Sequence, residues 1–113
     1  MLMTDKLAEV DALMRSLRER YPQEIGAFLN FMQKAEAGPA LEMRVKELIN
    51  VALAVAAQCE WCIALHVKHA VAAGARREEI VSAGFMAVIM HGGPALMYLN
   101  PLLQAVEEFA PVA

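Results

Sequence analysis

The stretch from Ile80 to Leu99 is long and apolar enough to cross a bilayer, yet His91-Gly92-Gly93-Pro94 cuts it in the middle. Gly-Gly-Pro reads as a turn that opens a new helix, with Pro94 near its first position. Two shorter buried helices with a tight connection are therefore expected, and no membrane segment. The interruption matters because the chain is short for its apolar content: 58% hydrophobic in 113 residues. A small monomer has limited interior in which to hide that surface. A homo-oligomer that buries helix faces against copies of itself would absorb the surplus. The length fits one domain over residues 1–113. A net charge of -3 with both signs mixed leaves no basic footprint for nucleic acid.

The rest of the chain reads as helix. β-branched runs are absent, and Ala, Leu, Met, Glu and Arg dominate. An all-α fold of about six helices is expected. Thr4 and Asp5 are placed to cap a first helix to about Arg20, which carries Leu7, Val10, Leu13, Met14 and Leu17 at helical spacing. Tyr21-Pro22 breaks it. A second helix carries Ile25, Phe28, Leu29 and Met32 and ends near Gly38-Pro39. The third, from Pro39 to Gln58, turns almost wholly apolar toward its end, which predicts deep burial. The fourth starts near Cys59 and ends at Gly74, a suitable left-handed terminator. The fifth covers Arg77 to Met90, with Glu78 and Glu79 in its first turn. The last runs from Pro94 to Phe109, with a kink or break expected at Asn100-Pro101.

The chemistry sits between Glu47 and His69. Cys59 and Cys62 are the two cysteines of the chain, and at i and i+3 they share a helical face, so their sulfurs come within bonding reach. If the fourth helix begins there, its N-terminal dipole lowers a thiol pKa, and thiolate is the nucleophile. Met1 to Val10 holds Asp5 and Glu9 with no apolar core of a signal peptide, so a cytoplasmic location is expected. In that reducing compartment a close cysteine pair is no static staple. His66 lies one turn after Cys62 and can take the thiol proton and return it to a leaving group. Glu47 opens an apolar stretch and is either at a solvated rim or buried with a partner. Burial would raise its pKa and make it a base. His69 is read as surface or interface, and His91 is given no role. Met86, Met90 and Met97 are read as packing residues.

A metal is not expected. On one continuous helix Cys59 and His69 would stand about 15 Å apart along the axis, so one tetrahedral zinc cannot gather Cys59, Cys62, His66 and His69. The heme pattern C-x-x-C-H fails because Ile63 follows Cys62.

Glu47, the pair Cys59-Glu60-Trp61-Cys62 and His66, at this spacing, resemble the alkylhydroperoxidase D group of the carboxymuconolactone decarboxylase superfamily. Lys46-Glu47-Leu48-Ile49, Ala70 to Gly74-Ala75, Arg77-Glu78-Glu79-Ile80 and Gly92-Gly93-Pro94-Ala95 agree with that group's core. The resemblance implies an all-helical fold and a homo-trimer or homo-hexamer. It also implies a thiol peroxidase with an antioxidant role, with Cys62 peroxidatic, Cys59 resolving, His66 the base and Glu47 orienting or reprotonating it. A hydroperoxide would be the substrate and a dithiol protein the reductant, with no cofactor. The sequence departs from the pattern at Trp61, where the best-studied branch of the group carries a further relay histidine. That departure keeps open a general disulfide reductase or an oligomeric redox sensor. Arg76 stands where Ser or Thr often caps the next helix, at a cost of about 1 kcal/mol. The cysteine pair itself argues against the decarboxylase branch, whose reaction needs proton transfer and no sulfur redox.

Overall fold

A computed structural model describes residues 1–111. Seven helical segments follow one another: α1 Met3–Arg20, α2 Pro22–Glu36, α3 Met43–Ala56, α4 Glu60–Ala72, α5 Arg77–His91, the short α6 Gly93–Met97 and α7 Leu99–Phe109. No strand occurs among the described residues. The fold is all-α, as the sequence predicts. No helix among them is long and apolar enough to cross a membrane.

The α4 helix is the central rod. It packs along α3, and α7 and α1 close over its other sides, while α5 lies against α3 and α7. Its inward positions Ile63, Ala64, Val67 and Ala70 are fully buried. They meet Val51 and Val55 of α3, Ile80 of α5, and Leu102, Ala105 and Val106 of α7 in one cluster. At Gly84 the contact of α5 with α7 is so close that a Cβ would fall 2.4 Å from the Leu102 side chain. The α2 helix packs on α1 and leaves Phe28 and Phe31 exposed. That protrusion explains a radius of gyration of 14.4 Å, against about 13 Å for a fully compact chain of this length.

Several boundaries differ from the sequence reading. Thr4 lies inside α1, and Leu2 is the residue that precedes it; Asp5 accepts from the Leu2 amide at 2.8 Å. The third helix starts at Met43, not at Pro39. The Lys46 ammonium bonds the carbonyls of Glu36 and Gly38, which holds the α2–α3 connection as a loop. The α3 terminus is not uniformly deep: Val51, Ala54 and Val55 are buried, whereas Ile49 and Leu53 face outward. The last helix divides at Tyr98 rather than at Asn100-Pro101. Pro101 falls in the first turn of α7, where its missing N–H has no intrahelical partner to lose. Arg76 precedes α5 without a side-chain cap, but its amide donates to Glu79 at 2.9 Å, which keeps half of a capping box.

Candidate functional site

The cysteine pair is placed by how α3 ends. The amide of Gln58 bonds the Val55 carbonyl (3.1 Å), and that of Cys59 bonds the Ala54 carbonyl (3.2 Å). This is a Schellman terminus with Gln58 at the left-handed position, φ 57°. It turns the chain at once into α4, with Cys59 as N-cap. The Cys59 sulfur accepts from the Cys62 amide at 3.1 Å. Cys59 and Cys62 are joined as a disulfide with their Cα atoms 5.2 Å apart. Both sulfurs thus sit at the positive end of α4, where a thiolate is favoured on reduction.

One helix away, Glu47 of α3 is 3% exposed, the one buried charged residue among those described. Its Oε1 accepts from Asn50 Nδ2 (2.8 Å) and faces His66 Nδ1 (3.0 Å). Its Oε2 faces His69 Nδ1 at 3.2 Å. No buried side-chain nitrogen or oxygen among the described residues lacks a partner. Burial is the largest single influence on Glu47 and pushes its pKa up. The bonds with His66, His69 and Asn50, with the His66 charge, together outweigh it and hold the carboxyl well below the usual range. The rise expected from burial alone is therefore reversed, and Glu47 is a fixed anion. The Glu47 bond raises the pKa of His69, and the nearby Glu36 charge adds to it; burial and Lys68 oppose.

The arrangement has a direct chemical meaning. With its Nδ1–H donated to Glu47, His66 has one tautomer selected, and its Nε2 is free to accept a proton. Cys62 and His66 are one turn apart on α4, with Cβ atoms at about 5–6 Å for such a pair.

Sequence reasoning missed His69. It is half exposed, as expected for a surface residue, yet its ring shares the buried carboxylate. The spacing His66-x-x-His69 held the clue, because i and i+3 share a helical face. Among the described residues, Glu47, His66 and His69 form a group whose donor atoms lie within 4.8 Å of one another, close enough to hold a metal ion. Trp61 is half exposed, and the Lys6 ammonium stands 4.9 Å from its ring centre. His91 ends α5 and is exposed.

Comparisons with known proteins identify the family to which this fold belongs. The model of the carboxymuconolactone decarboxylase family matches residues 22–105. A crystal structure of a carboxymuconolactone decarboxylase family protein from Legionella pneumophila, in its apo form, superposes with a TM-score of 0.91 at 38% identity, over 96% of each chain. An uncharacterised protein of the cox locus of Paracoccus denitrificans is 42% identical over 73% of this chain and 74% of its own length. An uncharacterised protein of Cupriavidus necator is 34% identical over 87% of both chains. Matched by the family model over most of its length and by a solved member over nearly all of it, the chain belongs to the carboxymuconolactone decarboxylase family.

Proposed function

We propose that this protein is a thiol peroxidase that reduces organic hydroperoxides through Cys62 and Cys59, with His66 and Glu47 handling the proton. The observation that carries the reading is the ionised, buried Glu47 bound to His66, one turn from a disulfide-forming pair. The Cys62 thiol gives its proton to His66. The thiolate attacks the terminal peroxide oxygen and the O–O bond breaks. Cys62 takes the hydroxyl as a sulfenic acid, and the alkoxide leaves with the proton from His66. The Cys59 thiol then displaces water, forming the disulfide. Two thiols and one hydroperoxide become a disulfide, an alcohol and water. A dithiol protein restores the pair by exchange. Trp61 of the motif lines a mostly apolar cleft of about 380 Å³ with Glu9, Val10 and Leu13, a surface that suits an organic group. The exposed apolar side of α5, with Phe85, Met86, Ile89 and Met90, fits a homo-trimer or homo-hexamer. The setting we assign is cytoplasmic and antioxidant.

A second reading is disulfide reduction on a protein partner, favoured by the exposed Trp61 inside the motif. A single-turnover thiol count separates the two. Reduced protein, freed of reductant, is mixed with excess organic hydroperoxide while thiols and mass are followed, alongside Cys62→Ser and Cys59→Ser. Rapid loss of both thiols, with a sulfenic acid trapped in Cys59→Ser alone, supports the peroxidase. Thiols that survive peroxide but vanish with a small disulfide refute it in favour of exchange. Thiols that change the assembly on oxidation, without turnover, mark a redox sensor.

A further inference from the structure

We propose that Glu47, His66 and His69 form a binding site for a divalent cation of the zinc class. Two imidazoles and a carboxylate are a donor set that zinc accepts while keeping a position open. Bonds of about 2.0–2.2 Å in a tetrahedral shell place donors about 3.3–3.6 Å apart. The structure already holds His66 Nδ1 at 3.0 Å and His69 Nδ1 at 3.2 Å from the Glu47 oxygens. All three donors lie within 4.8 Å of one another, so side-chain rotations of about an ångström complete the shell.

The surroundings favour a built site over a chance cluster. The ligands come from two packed helices, α3 and α4, so the backbone fixes their approach. The Asn50 amide bonds Glu47 Oε1 and orients the carboxylate, as partners behind a ligand commonly do. His69 is half exposed, and a cleft of about 300 Å³ lined by Met43, Glu47, His69, Ala72 and Ala73 opens beside it. An ion enters there and keeps water in its remaining positions. The hydrogen bonds now joining the three groups are the ion-free form of the same site. The cysteines are excluded as ligands while they are joined as a disulfide.

A cation on Nδ1 of His66 displaces the proton now shared with Glu47 and leaves the neutral ring's N–H on Nε2, so Cys62 loses the nitrogen that would accept its proton. Metal occupancy would thus restrain the thiol pair. That consequence rests on the function proposed above; the binding does not.

The test uses tag-free protein in the disulfide form, without peroxide or thiol. Zinc is titrated by calorimetry, and cobalt(II) by visible absorption. One ion per chain is expected, with cobalt d–d bands and no thiolate charge-transfer band. His69→Ala and Glu47→Gln should each weaken zinc at least tenfold, and His91→Ala should not. His69 is half exposed, so its replacement leaves the fold intact by circular dichroism even if Glu47→Gln does not. No saturable binding, or equal affinity in His69→Ala, overturns the proposal.

Discussion

Replacing Glu47 by Gln should cost stability by an amount that depends on pH, because the wild type carries two titrating contributions that the variant loses. The carboxylate is 3% exposed and serves His66, His69 and Asn50 at 2.8–3.2 Å. Hydrogen bonds to a buried charge are worth about 1.5–3 kcal/mol each, and leaving one unmade costs comparably. Glutamine keeps one acceptor oxygen and presents an amide donor to the other imidazole, so a loss of about 2–4 kcal/mol is expected. For a chain of this size that lowers Tm by roughly 8–16 °C. The sign with pH follows from two shifts. The Glu47 pKa is lowered in the folded state, so its contribution is present above its ordinary value of 4.5 and is lost as pH falls toward the folded value. The His69 pKa is raised above 6.5, so its share is present below that and is lost as pH rises through the folded value. The gap between wild type and variant should therefore peak between pH 4.5 and 6.5 and shrink on both sides. Thermal unfolding at fixed protein concentration, in the disulfide form and with a chelator present, reads it directly. A gap below about 0.5 kcal/mol at pH 5.5, or one that is flat from pH 3 to 8, would refute the reasoning.

Other expectations concern separate parts of the molecule. His66→Ala should slow peroxide-driven loss of the thiols by about 10²-fold or more, in stopped-flow thiol counts, while leaving circular dichroism unchanged. Gly84→Ala should destabilise by about 1 kcal/mol: its methyl meets the buried Leu102 side chain at 2.4 Å, and overpacking of about 1–3 kcal/mol exceeds the helix-propensity gain of about 1 kcal/mol. Gln58→Gly should stabilise by about 1 kcal/mol in urea unfolding, because a side chain at φ 57° is strained and glycine is not. Ile89→Asp, on an α5 position 71% exposed in the single chain, should shift sedimentation toward the monomer; an unchanged species would dismiss α5 as the assembly face.

The sequence disclosed the rods and their polarity better than their ends. His91-Gly92-Gly93-Pro94 did split the apolar stretch, and Gly74 does stand in the left-handed region after α4, at φ 94°. The start of α3 was hidden because Lys46 reaches back eight and ten residues to hold the loop, a contact that no local pattern encodes. The break at Tyr98 was misplaced because proline is disruptive only beyond a first turn. The spacing of Cys59, Cys62 and His66 along one helix was legible because it is a matter of periodicity. That Glu47 is buried and held as an anion was not, because it depends on two imidazoles brought by another helix. His69 was underrated for the same reason: partial exposure was inferred correctly, but the carboxylate behind it lay on α3.

The disulfide between Cys59 and Cys62 closes a loop of only three sequence steps. Loop-closure entropy grows with loop length, and a loop this small restricts the unfolded chain by about 2 kcal/mol, against about 4.7 kcal/mol for a hundred-residue loop. The bond is a clasp on one helical turn rather than a girder of the fold. Its opening leaves Ile63, Ala64 and Val67 anchored in the interior just behind it. Under the proposed function the pair would open and close with the scaffold standing still, and the free energy of each cycle would go into sulfur chemistry rather than refolding.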